Sequence, residues 1–399
     1  MAHRDIVVIG ASAGGLEALQ ELLAALPANL DAAVLVVLHT SNHEGSVLPQ
    51  ILGRAGPLPA VHPKDGAPIR KGHIYIAPPN LHMIVADGHV QLIPGPRENL
   101  HRPAIDPLFR SAAAAYGWRV IAVVLTGLLD DGTSGLMVVR ASGGKAIVQD
   151  PETATFPSMP RSALKQVPDA QVLPVEAIAK RIVRLTGEEL PAETRTGRFP
   201  PSAEKDIRIA EFDMSEIENE ARCGNPSEFA CPDCGGVLWE IVEHGFLRYR
   251  CRVGHAFTAK YLEAEQRHAI ESALWAALRA LEESTSLSHR LAKRAGDWQQ
   301  SALYDLYQER ASAKENHAKI LRDFLLGVNT RGEEERIIDR SRELARRTCR
   351  NPRECFVADR AWGSMALSRV QCARGAAVAS PPAIGHRSNR AGPSDCWFL

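Results

Sequence analysis

The sequence predicts an α/β fold for the first half of the chain, with a doubly wound, mainly parallel sheet that has helices on both faces. Between residues 5 and about 185, short β-branched runs alternate with amphipathic patterns, which is typical of βαβ units. Three of these runs, IVVIG, AAVLVVLH and VIAVVLTG, are continuously apolar, as expected for central strands that are covered on both faces. The less apolar residues 55–100 are predicted to supply a hairpin or edge strands.

The composition excludes several classes of protein. The 399 residues are 45% hydrophobic and 24% charged, which is close to the globular average and favours at least two folded units. Because 47 basic side chains balance 47 acidic ones, no overall charge attracts the chain to nucleic acid or to an anionic membrane. The N-terminus lacks an apolar signal region, and nowhere do about 18 uncharged apolar residues run together. We therefore expect a cytoplasmic protein without membrane insertion.

The pattern divides the chain into five segments. Residues 1–190 are predicted to form the α/β domain, and residues 191–215, which mix Pro, Gly, Thr and charge without periodicity, form a linker. A small cysteine-bearing module is expected over 216–260 and a helical hairpin over 261–328. The Arg-rich stretch 329–399 is predicted to be a tail of low order.

The hairpin is predicted from one apolar stripe that Gly296 interrupts. A pair of amphipathic helices that pack on each other is favoured over a partner-binding coiled coil, because strict heptads are not sustained. The stripe consists of Ile270, Leu274, Leu278, Leu281, Leu291, Leu303, Leu306, Ile320, Leu321 and Phe324.

A G-x-S-x-G motif follows the first apolar run and precedes an amphipathic helix. Gly10, Ser12 and Gly14 at this position are typical of a nucleophile elbow, but also of a phosphate-binding turn. A dinucleotide site would have Gly in place of Ser12 and an acidic residue at the end of the second strand, where this chain has His39. The second strand therefore favours the serine nucleophile.

A carboxylate pair follows a third apolar run. Asp130 and Asp131 occupy the carboxyl end of RVIAVVLTG, so three strand ends at one edge of the sheet supply Ser, His and Asp. Each has a simpler interpretation, as a small turn residue, a strand-terminal histidine and a helix N-cap or turn pair. Their joint position favours a catalytic triad, in which a carboxylate orients the imidazole that activates the serine.

Several motifs in order carry a resemblance to a known family. They are GASAGG around Ser12, the strand-terminal His39, HRPAIDPLF at 101–109, LTGLLDDG at 125–132 and SMPRSA at 158–163. Together they resemble the CheB-type protein-glutamate methylesterase domain of bacterial chemotaxis, over about residues 4–190.

The resemblance implies hydrolysis of glutamyl methyl esters on methyl-accepting chemotaxis receptors, or on proteins of a related signalling pathway, with deamidation of receptor glutamines as a second activity. It implies that Ser12 is the nucleophile, His39 the general base and then acid, and Asp131 the orienting carboxylate. Amides near Ala13 and Leu128 are candidates for the oxyanion hole. No cofactor is expected for catalysis.

The sequence departs from the family pattern at three places. The family usually shows GASTGG, QHMP and TGMGNDG, where this chain has GASAGG, LHTS and TGLLDDG. The surroundings of the oxyanion hole are therefore expected to differ, while the three catalytic residue types are present. Well-known members carry an N-terminal receiver domain, which we do not expect here because the first strand begins near residue 5. The arginine and prolines of HRPAIDPLF and Arg161 are left outside the catalytic set.

A second constellation predicts a metal site. Cys231, Cys234, Cys251 and His255 form C-x2-C-x16-C-x3-H, a spacing typical of a structural zinc site whose four protein ligands leave no open position.

Other residues of this segment suggest alternative metal ligands and indicate the class of binding partner. His244 and Cys223 are possible substitutes among the ligands. Because the segment has only a few basic residues, we expect a protein partner and no nucleic acid. Those residues are Arg248, Arg250 and Arg252.

Two other functions stay open at this point. The protein could be a non-catalytic signalling scaffold in which both parts only bind partners, although the intact Ser, His and Asp argue against it. It could also use the same triad on another protein ester or amide, which only substrate assays distinguish.

Overall fold

A computed structural model describes residues 3–39, 46–191, 197–211, 224–243 and 245–328. The predicted tail and the two substitute ligands, Cys223 and His244, lie outside these described residues.

The first half is built on a seven-stranded sheet in which every neighbouring pair is parallel. Its strand order is β10-β9-β8-β1-β2-β5-β3. The three long apolar runs form the central strands β8, β1 and β2, as predicted. The strands of the sheet are β1 (Ile6–Ala11), β2 (Ala33–Leu38), β3 (Ala60–Val61), β5 (Ile74–Ile76), β8 (Val120–Val124), β9 (Lys145–Gln149) and β10 (Gln171–Leu173).

Residues 55–100 supply one edge strand of the large sheet, the strand next to it, and a hairpin. β3 and β5 extend the large sheet, while a separate antiparallel sheet has the order β4-β7-β6. These three strands are β4 (Ala67–Pro68), β6 (His82–Ala86) and β7 (His89–Ile93).

Helices cover both faces of the parallel sheet. One apolar cluster contains residues of α1, α2 and α6, and the other contains residues of α3, α4 and α5. The predicted doubly wound architecture is thereby confirmed. The helices are α1 (Gly15–Ala24), α2 (Leu48–Ala55), α3 (Ile105–Tyr116), α4 (Thr133–Ala141), α5 (Ser158–Gln166) and α6 (Val175–Gly187).

The stretch predicted as a linker contains a helix, α7 (Pro201–Ala210), which packs on α3. Pro201 lies in the first helical turn, where a missing N–H removes no hydrogen bond. The buried face consists of Ala203, Asp206, Ile209 and Ala210. One of these four residues is charged and two are alanines, so the segment has too few large apolar residues to show helical periodicity.

The cysteine-bearing module is an antiparallel sheet of order β11-β12-β13-β14. Its apolar cluster includes Leu238, Tyr249 and Phe257, and Leu100 and Leu129 of the α/β domain pack against it. The strands are β11 (Asn225–Ala230), β12 (Val237–Glu243), β13 (Phe246–Cys251) and β14 (Ala256–Thr258).

Two long helices, α8 (Ala259–Asp297) and α9 (Ser301–Val328), follow the module and pack on each other. Leu278 is buried between them, but Ile270, Ile320 and Phe324 of the predicted stripe are 61%, 67% and 54% exposed. Two helices that mainly contact each other bury only a narrow seam, so the stripe is wider than the contact. No helix in the described ranges is long and apolar enough to cross a membrane.

Candidate functional site

Three polar side chains meet at the carboxyl ends of the central strands. Ser12 follows β1, His39 follows β2, and Asp131 lies in the loop between β8 and α4. Because β8, β1 and β2 are neighbours in the sheet, their ends open into one crevice. The structure thus brings together the three residues that the sequence predicts.

The imidazole of His39 links the other two side chains. Its Nδ1 lies 3.1 Å from Ser12 Oγ, and its Nε2 lies 2.8 Å from Asp131 Oδ2. With a proton on Nε2 donated to the carboxylate, the Nδ1 lone pair faces the serine hydroxyl. The arrangement can therefore transfer the Ser12 proton to His39.

The Asp131 carboxylate is fully buried and has three hydrogen-bond donors. Besides His39, the Ile105 amide donates to Oδ2 at 2.7 Å and the Asn99 side-chain amide donates to Oδ1 at 2.9 Å. Burial alone would raise the pKa of Asp131, but the hydrogen bonds from His39 and the Ile105 amide hold that pKa well below its usual value. Asp131 is therefore ionised and held in one orientation.

Two glycines shape the backbone around Ser12. Gly14 has φ = 68°, in the left-handed region, and lies at the turn into α1. A Cβ on Gly127 would lie 2.9 Å from the Cβ of Ser12, so only glycine allows this approach. The amides of Ala13 and Leu128 have no hydrogen-bond acceptor among the described residues, which leaves both N–H groups free to donate.

A second histidine, which the sequence analysis did not single out, stacks on the first. The rings of His101 and His39 are 3.6 Å apart and nearly parallel, at 12°. Burial and the neighbouring His39 lower the pKa of His101 well below its usual value, so its ring is neutral. Tyr261, in the first turn of α8, contacts His101 edge to face at 5.7 Å.

The two arginines left outside the catalytic set have other partners. Arg102 donates to the carbonyls of Pro94 and Gly95, and the exposed Arg161 pairs with Glu152. Both arginines bind groups in neighbouring loops, and neither has a hydrogen bond or ion pair with Ser12, His39 or Asp131 among the described residues.

Strand β14 of the cysteine-bearing module forms hydrogen bonds with two loops of the α/β domain. One loop contains Asn99, and the other contains Asp130 and Asp131. The Asn99 amide donates to the Ala256 carbonyl at 2.7 Å, and the Thr258 amide donates to Asn99 Oδ1 at 2.9 Å. The Thr258 hydroxyl donates to Asp130 Oδ1 at 2.5 Å. Asn99 therefore joins β14 to the Asp131 carboxylate, a contact that the sequence analysis missed.

A buried cluster of charges lies beside this contact. Arg248 and Arg250 of β13 reach Asp206 of α7 at 2.6 and 3.0 Å, and Arg110 of α3 reaches Glu98 at 2.6 Å. Burial alone would raise the pKa of Asp206, but Arg248, Arg250 and Arg110 lower it well below its usual value. Arg248 and Arg250, two of the three basic residues that the sequence analysis noted in the module, thus face carboxylates in the interior, whereas Arg252 is exposed.

The predicted metal ligands converge in the module. Donor atoms of Cys231, Cys234, Cys251 and His255 all lie within 4.8 Å of one another. The Cys234 and Cys251 sulfurs are 3.7 Å apart, and His255 Nδ1 lies 3.5 Å from the Cys251 sulfur. Zinc with ordinary bond lengths places tetrahedral ligand atoms about 3.5–3.8 Å apart. The residues present therefore fit a tetrahedral metal ion.

Comparison with known proteins yields a consistent set of relatives. Residues 7–182 match the family described as CheB methylesterase. A putative protein-glutamate methylesterase/protein-glutamine glutaminase of Leptospira interrogans is 35% identical over 187 residues, which cover 47% of this chain and 97% of that protein. Protein-glutamate methylesterase/protein-glutamine glutaminase 1 of Paramagnetospirillum magneticum is 39% identical over 186 residues, 45% of this chain and 49% of that protein.

Among solved structures, the crystal structure of the Thermotoga maritima CheB methylesterase catalytic domain aligns with a TM-score of 0.44 and 34% identity. The alignment covers 46% of this chain and 100% of that one. The Leptospira protein is matched along nearly its whole length at more than 30% identity. On that match and the family match over residues 7–182, this chain belongs to the CheB methylesterase family.

Proposed function

We propose that this chain is a serine esterase that hydrolyses glutamate methyl esters on chemotaxis receptors and deamidates receptor glutamines. The observation that carries the proposal is the hydrogen-bonded chain from Ser12 through His39 to the ionised Asp131. The relatives are named for the reaction, as protein-glutamate methylesterase and protein-glutamine glutaminase. The receptor as substrate is our extension to this chain.

In the proposed mechanism, Ser12 Oγ attacks the γ-carbonyl carbon of the esterified glutamate while His39 Nδ1 takes the hydroxyl proton. Asp131 stabilises the imidazolium, and the free amides of Ala13 and Leu128 are candidates to bind the oxyanion. His39 then protonates the leaving methoxide, and methanol departs. A water molecule, deprotonated by His39, attacks the acyl-enzyme carbonyl carbon, and His39 then returns the proton to Ser12 Oγ as the ester bond breaks and the glutamate carboxylate is released.

We also propose that residues 1–190 act as the esterase domain and that the module binds one structural zinc ion. The four side chains would complete the coordination of the ion, which supplies stability and no chemistry to the reaction. This follows from the donor set of three sulfurs and one imidazole nitrogen, which suits zinc.

The test is methanol release from methylated chemoreceptor membranes. The wild-type chain is expected to release methanol, and Ser12→Ala is expected to release none above background. Ser286→Ala, at an exposed position on α8, is the matched control and should behave as wild type. If the wild-type chain with metal bound releases no methanol from several receptors, the receptor assignment is wrong. If Ser12→Ala retains activity, the nucleophile is wrong.

A further inference from the structure

A cavity of about 510 Å³ lies at the end of the parallel sheet opposite the triad. Arg4, just before β1, and Lys145, the first residue of β9, are both at the amino ends of their strands. Ser12 follows the carboxyl end of β1, and a strand of six residues spans about 20 Å. The cavity is therefore separate from the esterase site.

Among the residues that the structure describes, positive charge dominates the walls of the cavity. Arg4, Arg140, Lys145 and Arg181 line it, and Glu188 is the one carboxylate among the described lining residues. These side chains carry a net charge of +3 when the four bases are protonated and the acid is ionised, since four positive charges oppose one negative charge.

The guanidinium group of Arg4 is buried and has too few hydrogen-bond acceptors among the described residues. Its side chain is 5% exposed, and its Nε and Nη1 have no hydrogen-bond acceptor among the described residues. The Glu188 carboxylate lies 3.9 Å from Nη1, at the outer limit of an ion pair. A guanidinium removed from water without hydrogen bonds is unfavourable, so an orphaned group of this kind calls for an explanation such as an absent anion.

The other charged side chains of the cavity do not supply the acceptors that Arg4 needs. Glu188 is shared with Arg181 and Arg184, both at 3.3 Å, while Arg140 pairs with Asp169.

The Lys145 ammonium has no hydrogen-bond or ion-pair partner within the described part of the chain. Burial, followed by the charges of Arg4, Arg140 and Arg181, lowers the pKa of Lys145, which reflects the excess positive charge.

We propose that this cavity binds a small molecule that carries a phosphate or diphosphate group. Two or more negative charges on one ligand match the excess of cations, and guanidinium groups donate paired N–H groups to phosphate oxygens. The volume lies within the range of sites for small ligands. The nitrogens of Arg4 and Lys145 would then gain acceptors that no described residue supplies.

The experiment is calorimetric titration of the full chain with pyrophosphate at constant ionic strength. Wild type is expected to bind saturably, and Lys145→Met and Arg4→Met should each weaken binding at least tenfold. The matched control is Lys180→Met, which removes an exposed charge from α6 next to Arg181 and should change affinity less than twofold. Malonate, a dianion without phosphorus, should bind at least tenfold more weakly than pyrophosphate.

A second readout separates a ligand site from a structural ion pair. Without ligand, Arg4→Met should melt at or above the wild-type temperature, because it removes a buried and poorly paired charge. A marked fall in its melting temperature would overturn the proposal, as would wild type that shows no saturable binding. Unchanged affinity in Lys145→Met and Arg181→Met would overturn it independently of the result for Arg4→Met, and so would tighter binding of malonate. None of these measurements uses the esterase activity.

Discussion

At the scale of single residues, the site depends on how the buried Asp131 carboxylate is held. Ser12, His39 and Asp131 could be predicted because each follows a continuously apolar strand, and parallel strands end at one edge. Asn99 could not be predicted as part of the site, because it lies in an irregular loop and contacts residues 32 and 159 positions away. Such long-range hydrogen bonds leave no local pattern in the sequence.

Asn99→Ala is expected to lower kcat roughly 10-fold to 100-fold with little change in KM, because it removes the donor that fixes Asp131 Oδ1. The downfield NMR resonance of the His39 Nε2 proton, which reports its hydrogen bond to Asp131, should broaden or disappear. Asn225→Ala, at an exposed position in β11, is the control. An unchanged resonance with unchanged kcat would show that Asn99 does not position Asp131.

Asp131→Asn is expected to lower kcat about 10⁴-fold, as in serine hydrolases that lose the orienting carboxylate.

The Asp131→Asn substitution should also flatten the acid dependence of the free energy of unfolding. Because the folded-state pKa of Asp131 lies below the unfolded value of about 3.9, its contribution is present above that value and is lost as pH falls toward the folded pKa. Urea unfolding between pH 5 and 2 measures this loss.

In that series the unfolding free energy of the Asp131→Asn variant should fall less than that of wild type. Asp87→Asn, in the exposed turn between β6 and β7, serves as the surface control. An acid dependence as steep as that of wild type would contradict the assignment of a depressed pKa to Asp131.

At the scale of elements, the strands with continuous apolar runs were predictable, whereas α7 and β14 were not. β14 has three residues, and its pairing with β13 is set by the turn that carries Cys251 and His255. It begins one residue after His255 and contacts Asn99. The four predicted metal ligands and the predicted triad are therefore joined by one short strand.

Removal of the metal is expected to loosen β14 and, through Asn99, to lower esterase activity about tenfold. Cys234→Ser, which removes one of the four ligands, should lose the zinc found by elemental analysis, and hydrogen exchange at Ala256–Thr258 should quicken. Cys223→Ser should keep one zinc per chain and full activity. Activity that stays at the wild-type level in a metal-free chain would show that the module does not support the loop that contains Asn99.

At the scale of the whole molecule, buried ion pairs, apolar contacts and hydrogen bonds join the module to the α/β domain. Arg250 reaches Glu98, 152 positions earlier, and Asp206, 44 positions earlier. The sequence analysis noted Arg248 and Arg250 only as basic residues of the module, because burial of a charged side chain depends on partners that only the folded chain brings near. The helix α7 supplies the central acceptor of the cluster.

Asp206→Asn is expected to lower the free energy of unfolding by about 3–5 kcal/mol, because it leaves Arg248 and Arg250 buried without their shared carboxylate. Glu204→Gln, on the same helix, removes an exposed pair with Arg208 and should cost less than about 0.5 kcal/mol. Denaturant unfolding gives both values.

If the charges hold the module against the α/β domain, hydrogen exchange in β13 and β14 should quicken in Asp206→Asn before the sheet of the α/β domain is affected. Equal, small effects of the two substitutions would mean that apolar contacts, and not this cluster, hold the two parts together.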